Sequence, residues 1–271
     1  VRERTFDADG GTINFAQGPD SAGPPLVLIP GQALPWQSYI KVLPMLAPRF
    51  RSFAVDVRGH GRSSWTSGHY TFTSIGRDFA IFLEQVVKAP AFVSGNSSGG
   101  VIAVALAASR PDLVRGVIAE DAPLFSCEWP RIRDCFAYEV FEKCVRYLGA
   151  PDGRDLAGFL GSIRAPVQGG TKVLSFPRAL QAAVRSFLWL YRLIRPNGPV
   201  DIPLLPLVSR VLIKGLSEYD PDFSRACIDG SIGDGFSHAD ALAKLRCPLL
   251  LMRANWFIHP TMGLVGSMDD N

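Results

Sequence analysis

Three features of the sequence predict an α/β fold: a mostly parallel, doubly wound sheet with helices on both faces and a helical cap inserted late in the chain. The first is an alternation of short buried apolar runs with helical patterns through residue 121. The second is the stretch Phe92 to Ile102, where a β-branched run breaks into Gly95-Asn96-Ser97-Ser98-Gly99 and then into an Ala-rich helix. In the third, the strand rhythm stops at Ala122 and resumes only at Cys247-Pro248-Leu249-Leu250-Leu251-Met252.

In chain order, Thr5-Phe6 and Thr12 to Phe15, joined through Asp9-Gly10-Gly11, predict an edge hairpin. Leu26 to Ile29 is a run of the kind covered on both faces of a sheet, and it ends in Pro30-Gly31-Gln32. Trp36 to Leu46 has helical spacing, and Phe53 to Val57 is the next buried strand. A tight loop, Asp56-Val57-Arg58-Gly59-His60-Gly61-Arg62-Ser63, follows it; its glycines permit the bend and its polar groups lace it, so His60 is expected to brace the loop. Thr73 to Val87 is helical with Thr73 or Ser74 as N-cap, Ala91 to Val93 leads into the Gly-x-Ser-x-Gly turn, and Ser98 to Ser109 is the helix after it. Arg115 to Ala119 forms a strand ending at Glu120-Asp121.

These elements assign residues 1–121 to the first part of the core, 122–240 to the cap and 241–271 to the second part of the core. In the cap, Tyr138 to Leu148 and Ala179 to Ile194 are expected helices, separated by Pro-rich breaks. Phe125, Trp129, Phe136, Phe187, Trp189 and Tyr191 supply aromatic surface there; Trp36, Trp129 and Trp189 are the candidates for holding an apolar substrate.

At 271 residues, one α/β core with an insertion fits better than two domains. With 47% hydrophobic and 20% charged residues and a net charge of +3, the chain is ordinary globular protein, and a nucleic-acid partner is not expected. Five Cys without a Cys-x-x-Cys pair argue against a disulfide framework or zinc site and suit a reducing compartment, the cytoplasm. No apolar run approaches the roughly 18 residues of a membrane span, so no membrane partner is expected.

A strand that turns within two residues into a helix strains the residue at the apex and presents its side chain, and the helix N-terminus directs free N–H groups at the same place. Ser97 is therefore the expected nucleophile. The backbone N–H groups of Ser98 and, after the strand that ends at Ile29, of Gln32 are the expected donors to an oxyanion.

Taken together, Pro30-Gly31-Gln32, Asp56 to Ser63, Gly95 to Gly99 and Leu245 to Leu251 resemble the α/β-hydrolase superfamily over about residues 5–121 and 240–255. The resemblance implies a Ser97 nucleophile and a His–acid pair from later in the chain, with no cofactor. Ser at 97, where haloalkane dehalogenases and epoxide hydrolases carry Asp, implies acyl chemistry on an ester or lactone of a hydrophobic small molecule. Hydrolysis of a carbon–carbon bond on the same scaffold, or ligand binding without catalysis, are the competing readings. Glu120, at the strand end after the nucleophile helix, is the expected acid, a placement similar to that of zearalenone-type lactonases; Asp269 is the alternative. No histidine stands where the family places its base. His60 belongs to the bracing loop, His69 follows it, His238 precedes the Cys247 strand in a helical stretch, and His259 lies in an expected mobile loop. The natural protein is expected to continue through one more strand and helix, roughly 40 to 60 residues.

Overall fold

A computed structural model describes residues 1–150, 154–175, 177–196 and 198–268. The N-terminal hairpin of β1 (Arg2–Ala8) and β2 (Gly11–Gln17) is antiparallel, with Phe6 opposite Ile13. It joins β3 (Pro25–Ile29), β4 (Arg51–Val55), β5 (Ala91–Asn96), β6 (Val114–Glu120) and, far along the chain, β9 (Leu249–Met252) in one seven-stranded sheet of order β1-β2-β4-β3-β5-β6-β9. Beyond the β2–β4 pair every neighbour is parallel, as short crossovers through helices require.

Between β3 and β4 the expected single helix is two pieces, a 3₁₀ turn at Trp36–Tyr39 and α1 (Val42–Leu46). Pro44 has no N–H to give and is tolerated only in a first turn, so the helix restarts just ahead of it. The helix after the bracing loop, α2 (Phe72–Phe82), runs on as a π-turn through Val87. Its N-cap is Thr71 rather than Thr73 or Ser74: the Thr71 hydroxyl accepts from Ser74 N–H while Ser74 accepts from Thr71 N–H, a reciprocal pair that fixes the start. The helix α3 (Ser98–Ser109) occupies the predicted span.

Beyond β6 come α4 (Phe136–Lys143), with a π-turn through Leu148, α5 (Leu156–Ser162), a small hairpin of β7 (Arg164–Pro166) and β8 (Val173–Ser175), α6 (Arg178–Ile194), α7 (Leu207–Ser217), α8 (Pro221–Asp229) and α9 (His238–Ala243). This last helix packs on α3, so the boundary set at residue 240 runs through a helix that covers the sheet. After β9, the segment around His259 is not a loop: β10 (Phe257–His259) pairs with β11 (Gly263–Val265), and Leu264 bridges to Cys135.

The core divides on the two sheet faces. Odd-numbered residues of β5 and β6, such as Val93, Val117 and Ala119, pack with α2 and α3; the even-numbered Leu26, Leu28 and Ala54 of β3 and β4 pack with Trp36, Tyr39 and Leu43. The loop after β4 is pinned to both hairpin and sheet. Asp56 accepts from Asn14 Nδ2 (2.7 Å), Trp36 N–H (2.6 Å) and Arg62 N–H (3.1 Å), and Arg58 grips Asp78 with two bonds of 2.5 and 2.6 Å. His60 is buried, gives its Nδ1–H to the Arg58 carbonyl (3.1 Å), and meets the edges of Tyr219 and Phe223, so it braces the loop. Burial lowers its pKa to about 4, while burial raises the Asp56 carboxyl to about 6.

Two outcomes follow from this packing. A Cβ on Gly99 would lie 2.3 Å from the Ile29 carbonyl oxygen and 2.8 Å from that of Pro30, both backbone, so Gly99→Ala should cost at least about 2 kcal/mol in urea unfolding. Because His60 stays neutral in the fold below its ordinary pKa, the unfolded chain takes up the extra proton, and the stability His60 contributes is present above pH 6.5 and lost toward pH 4. The destabilisation caused by His60→Gln, read as wild type minus variant at each pH, should therefore shrink by up to about 3 kcal/mol over that window, with Asp56 cancelling in the difference.

Candidate active site

Ser97 stands between β5 and α3 at φ 52°, ψ −122°, a conformation that non-glycine residues rarely hold. What holds it there is the near contact of helix and sheet. A Cβ on Gly95 would sit 2.1 Å from the Gly99 carbonyl oxygen, and Gly99 is pressed on the end of β3. Ser97 N–H donates to the Glu120 carbonyl (2.8 Å) and Asn96 Nδ2 reaches the same oxygen (3.3 Å), tying the apex to β6. The turn after β3 closes through Leu34 N–H on the Gly31 carbonyl (3.1 Å) with Ala33 at φ 59°; a Cβ on Gly31 would meet Asn96 Oδ1 at 2.9 Å and the Ser97 Cβ at 3.3 Å. Gln32 is thereby brought beside Ser97 and Ser98. Among the described residues no acceptor takes the backbone N–H of Gln32 or Ser98, and the start of α3 adds its partial positive charge.

These three residues line one pocket enclosing about 570 Å³, including its open mouth, whose walls are mostly apolar: Phe72, Pro123, Ile132, Ala137, Phe141 and Ile232, with the thiols of Cys127, Cys135 and Cys227. Ser126, Gly266 and Ser267 complete it, so the C-terminal segment forms part of the wall. The Gln32 amide is held from behind, donating to Tyr219 Oη (2.6 Å) and Ser224 Oγ (3.0 Å). All five cysteines are free thiols, and burial pushes Cys127 up to about 12 and Cys227 well above its usual value, so both are protonated walls at neutral pH. Among the described residues no three His, Cys, Asp or Glu side chains come together to hold a metal ion.

None of the three expected tryptophans lines this pocket. Trp36 is buried on the opposite sheet face, where its Nε1 donates to Glu3 (2.9 Å). Trp129 lines a second, more polar cavity of about 1100 Å³ that shares Phe72 and Cys127 with the first and holds Glu128, Asp229, Asp234 and His238. Trp189 is 66% exposed on α6. The apolar wall comes instead from residues that no motif marks; Phe141 fell in the expected helix Tyr138 to Leu148, whereas Ala137, four residues earlier on the same face of α4, lay ahead of its expected start.

The carboxylates separate. Glu120 takes a hydrogen bond from the Ser94 hydroxyl on the sheet face away from α3, close enough to Tyr39 that its charge, after burial, raises the phenol's pKa. Asp121, at φ 50°, accepts from Ser267 Oγ (3.0 Å) in the pocket wall and from Ala254 N–H (3.0 Å). Asp269 lies outside the described residues. No histidine lines the pocket among the described residues. His69 is exposed; His238 accepts from Phe125 N–H (3.3 Å) through Nδ1 and has Cys127 Sγ 3.6 Å from Nε2. His259 is buried, with Thr261 N–H and Oγ1 at Nδ1 (3.4 and 3.3 Å) and its Nε2 unpartnered.

Comparison with known proteins extends this geometry. Residues 24–143 match the family model of the alpha/beta hydrolase fold. Over 111 residues, 40% of this chain and 41% of the relative, the sequence is 36% identical to a pimeloyl-(acyl-carrier protein) methyl ester esterase of Yersinia pestis. Over 113 residues, 42% and 41% of the two chains, it is 31% identical to the 2-(acetamidomethylene)succinate hydrolase of Mesorhizobium japonicum. The chain thus spans about two fifths of the length of the curated relatives it matches. In three dimensions it resembles a hydrolase from Pseudomonas aeruginosa (TM-score 0.62, 21% identity, 92% of this chain and 78% of that one) and the enol-lactonase of Burkholderia xenovorans (TM-score 0.54, 14% identity, 92% and 80%). That match lies on the strands and helix that carry Gln32, Ser97 and Asp121, and the described residues have the α/β-hydrolase fold.

Proposed function

We propose that the protein is a serine hydrolase that cleaves an ester or lactone of a hydrophobic small molecule through an acyl-enzyme on Ser97. The observation that carries the reading is that the strained Ser97 lines one apolar pocket together with Gln32 and Ser98, whose backbone N–H groups have no acceptor among the described residues. Attack of Oγ on the carbonyl forms a tetrahedral adduct, and those two N–H groups with the α3 terminus stabilise its oxyanion. Collapse expels the alcohol and leaves the acyl group on Ser97; water then adds, and the acid departs. Relatives named as methyl ester esterases support acyl chemistry.

A serine also needs a base to take its proton and a carboxylate to orient that base. We assign the orienting role to the carboxylate pair at the end of β6. What favours Asp121 over Glu120 is its tie to Ser267 in the pocket wall, whereas Glu120 is occupied by Ser94 on the other side of the sheet. An active-site-directed fluorophosphonate should label the wild type on Ser97 and leave Ser97→Ala unlabelled, with hydrolysis of p-nitrophenyl butyrate falling by about 10³-fold or more. Aryl-ester hydrolysis that continues unchanged in Ser97→Ala would overturn the reading. Asp121→Asn should lower kcat by about 10²-fold or more while Glu120→Gln keeps kcat within about tenfold; the reverse order in steady-state kinetics would return the role to Glu120.

A further inference from the structure

The cap carries an apolar face that no part of the described chain covers. Helix α6 buries only one narrow side: Gln181, Val184, Leu188 and Tyr191, spaced three and four apart, are half-buried, and the helix packs against α5. On the outside, Leu180, Ala183, Phe187, Leu190 and Ile194 repeat the same spacing in solvent, with exposures of 46% at Phe187, 52% at Leu190 and 74% at Ile194. Trp189 and Leu193, 66% and 61% exposed, continue the apolar surface across the outer side, and Arg178, Arg185 and Arg192, at intervals of seven, form a row along its far edge, with Arg195 after the helix end. From Arg164 to Val200 the chain carries six Lys or Arg and no Asp or Glu. Among the described residues, Asp155 lies 3.5 Å from Arg185, and Asp201, paired with Arg210, is also close enough to feel the charge of Arg195.

We propose that α6 docks the protein on an anionic lipid surface, its apolar stripe entering the headgroup layer and its arginines meeting the lipid phosphates. The charge pattern selects this occupant. A second copy joined face to face would bring two sets of the same cations together, with Asp155 and Asp201 the acidic side chains beside them among the described residues, because a two-fold contact apposes identical patches. A bilayer rich in anionic lipid offers negative charge across the whole face and apolar depth for Phe187, Leu190 and Ile194, the combination that holds interfacial helices. No helix among the described residues is long and apolar enough to cross a membrane, and α6 with its flanking arginines is suited to lie on one. The sequence-based expectation of no membrane partner rested on spanning length alone and did not weigh this face. The inference is independent of the hydrolase reading.

Vesicle flotation tests it. The protein should float with vesicles of equal parts phosphatidylcholine and phosphatidylglycerol at low ionic strength, stay behind with phosphatidylcholine alone, and be released in about 0.5 M NaCl. Both Arg178→Glu/Arg195→Glu and Leu190→Ser/Ile194→Ser should weaken partitioning by about tenfold or more, with p-nitrophenyl butyrate hydrolysis in solution unchanged. Failure of the wild type to float with the anionic vesicles would overturn the proposal. So would binding that neither variant alters, or a dimer in sedimentation that Leu190→Ser/Ile194→Ser dissolves.

Discussion

The structure depends on how closely the first turn of α3 approaches β3 and β5. That approach is possible only because Gly95 and Gly99 have no Cβ to place where the Gly99 and Ile29 carbonyls already stand. The strain is local, at φ 52° on Ser97, and the compensation is spread through α3, whose Val101, Ile102, Val104 and Leu106 are fully buried in the larger core. Packing of that kind holds a backbone in a conformation it would not choose, and the same contact aims the helix N-terminus at the Ser97 side chain. A site built this way is rigid because its position is set by backbone atoms and not by flexible side chains.

A second layer of order supports the first from the opposite side. Asp56 joins the hairpin, the 3₁₀ turn and the bracing loop, and the loop in turn reaches the cap: Tyr70 Oη donates to Asp220 (2.6 Å) and Asp220 N–H to the Gly59 carbonyl (2.8 Å). Through Tyr219 and Ser224, which hold the Gln32 amide, the start of α8 and the turn after β3 share one hydrogen-bond network. The pocket therefore sits between a fixed floor on the sheet and walls supplied by α4, α8 and the C-terminal segment.

The core strands and the α3 span were legible because each carries an unbroken apolar run or a Gly signal, which local periodicity reports directly. The placing of Ser97, Ser98 and Gln32 in one pocket was legible for the same reason, since a strand end and a helix start are sequence-local features. The pocket walls were not. Trp36, Trp129 and Trp189 attract notice as large aromatics, yet burial on the wrong face, in a neighbouring cavity or in solvent is decided by tertiary packing. The choice between Glu120 and Asp121 turns on strand parity at the very end of β6. A one-residue step moves a carboxylate from the Ser94 side of the sheet to the pocket wall, and no pattern in the sequence marks where the strand stops. The β10–β11 hairpin was missed because its two three-residue strands are too short for alternation to show.

The proposed reaction requires the Ser97 oxygen to become covalently acylated. Rapid acid quench of the protein mixed with an apolar p-nitrophenyl ester, followed by mass spectrometry of its peptides, tests it most directly. A gain of one acyl group confined to the peptide that contains Ser97 is expected, appearing with the first release of p-nitrophenol. Acylation found on Cys127 or another side chain, or turnover with no acyl-protein at any quench time, would contradict it.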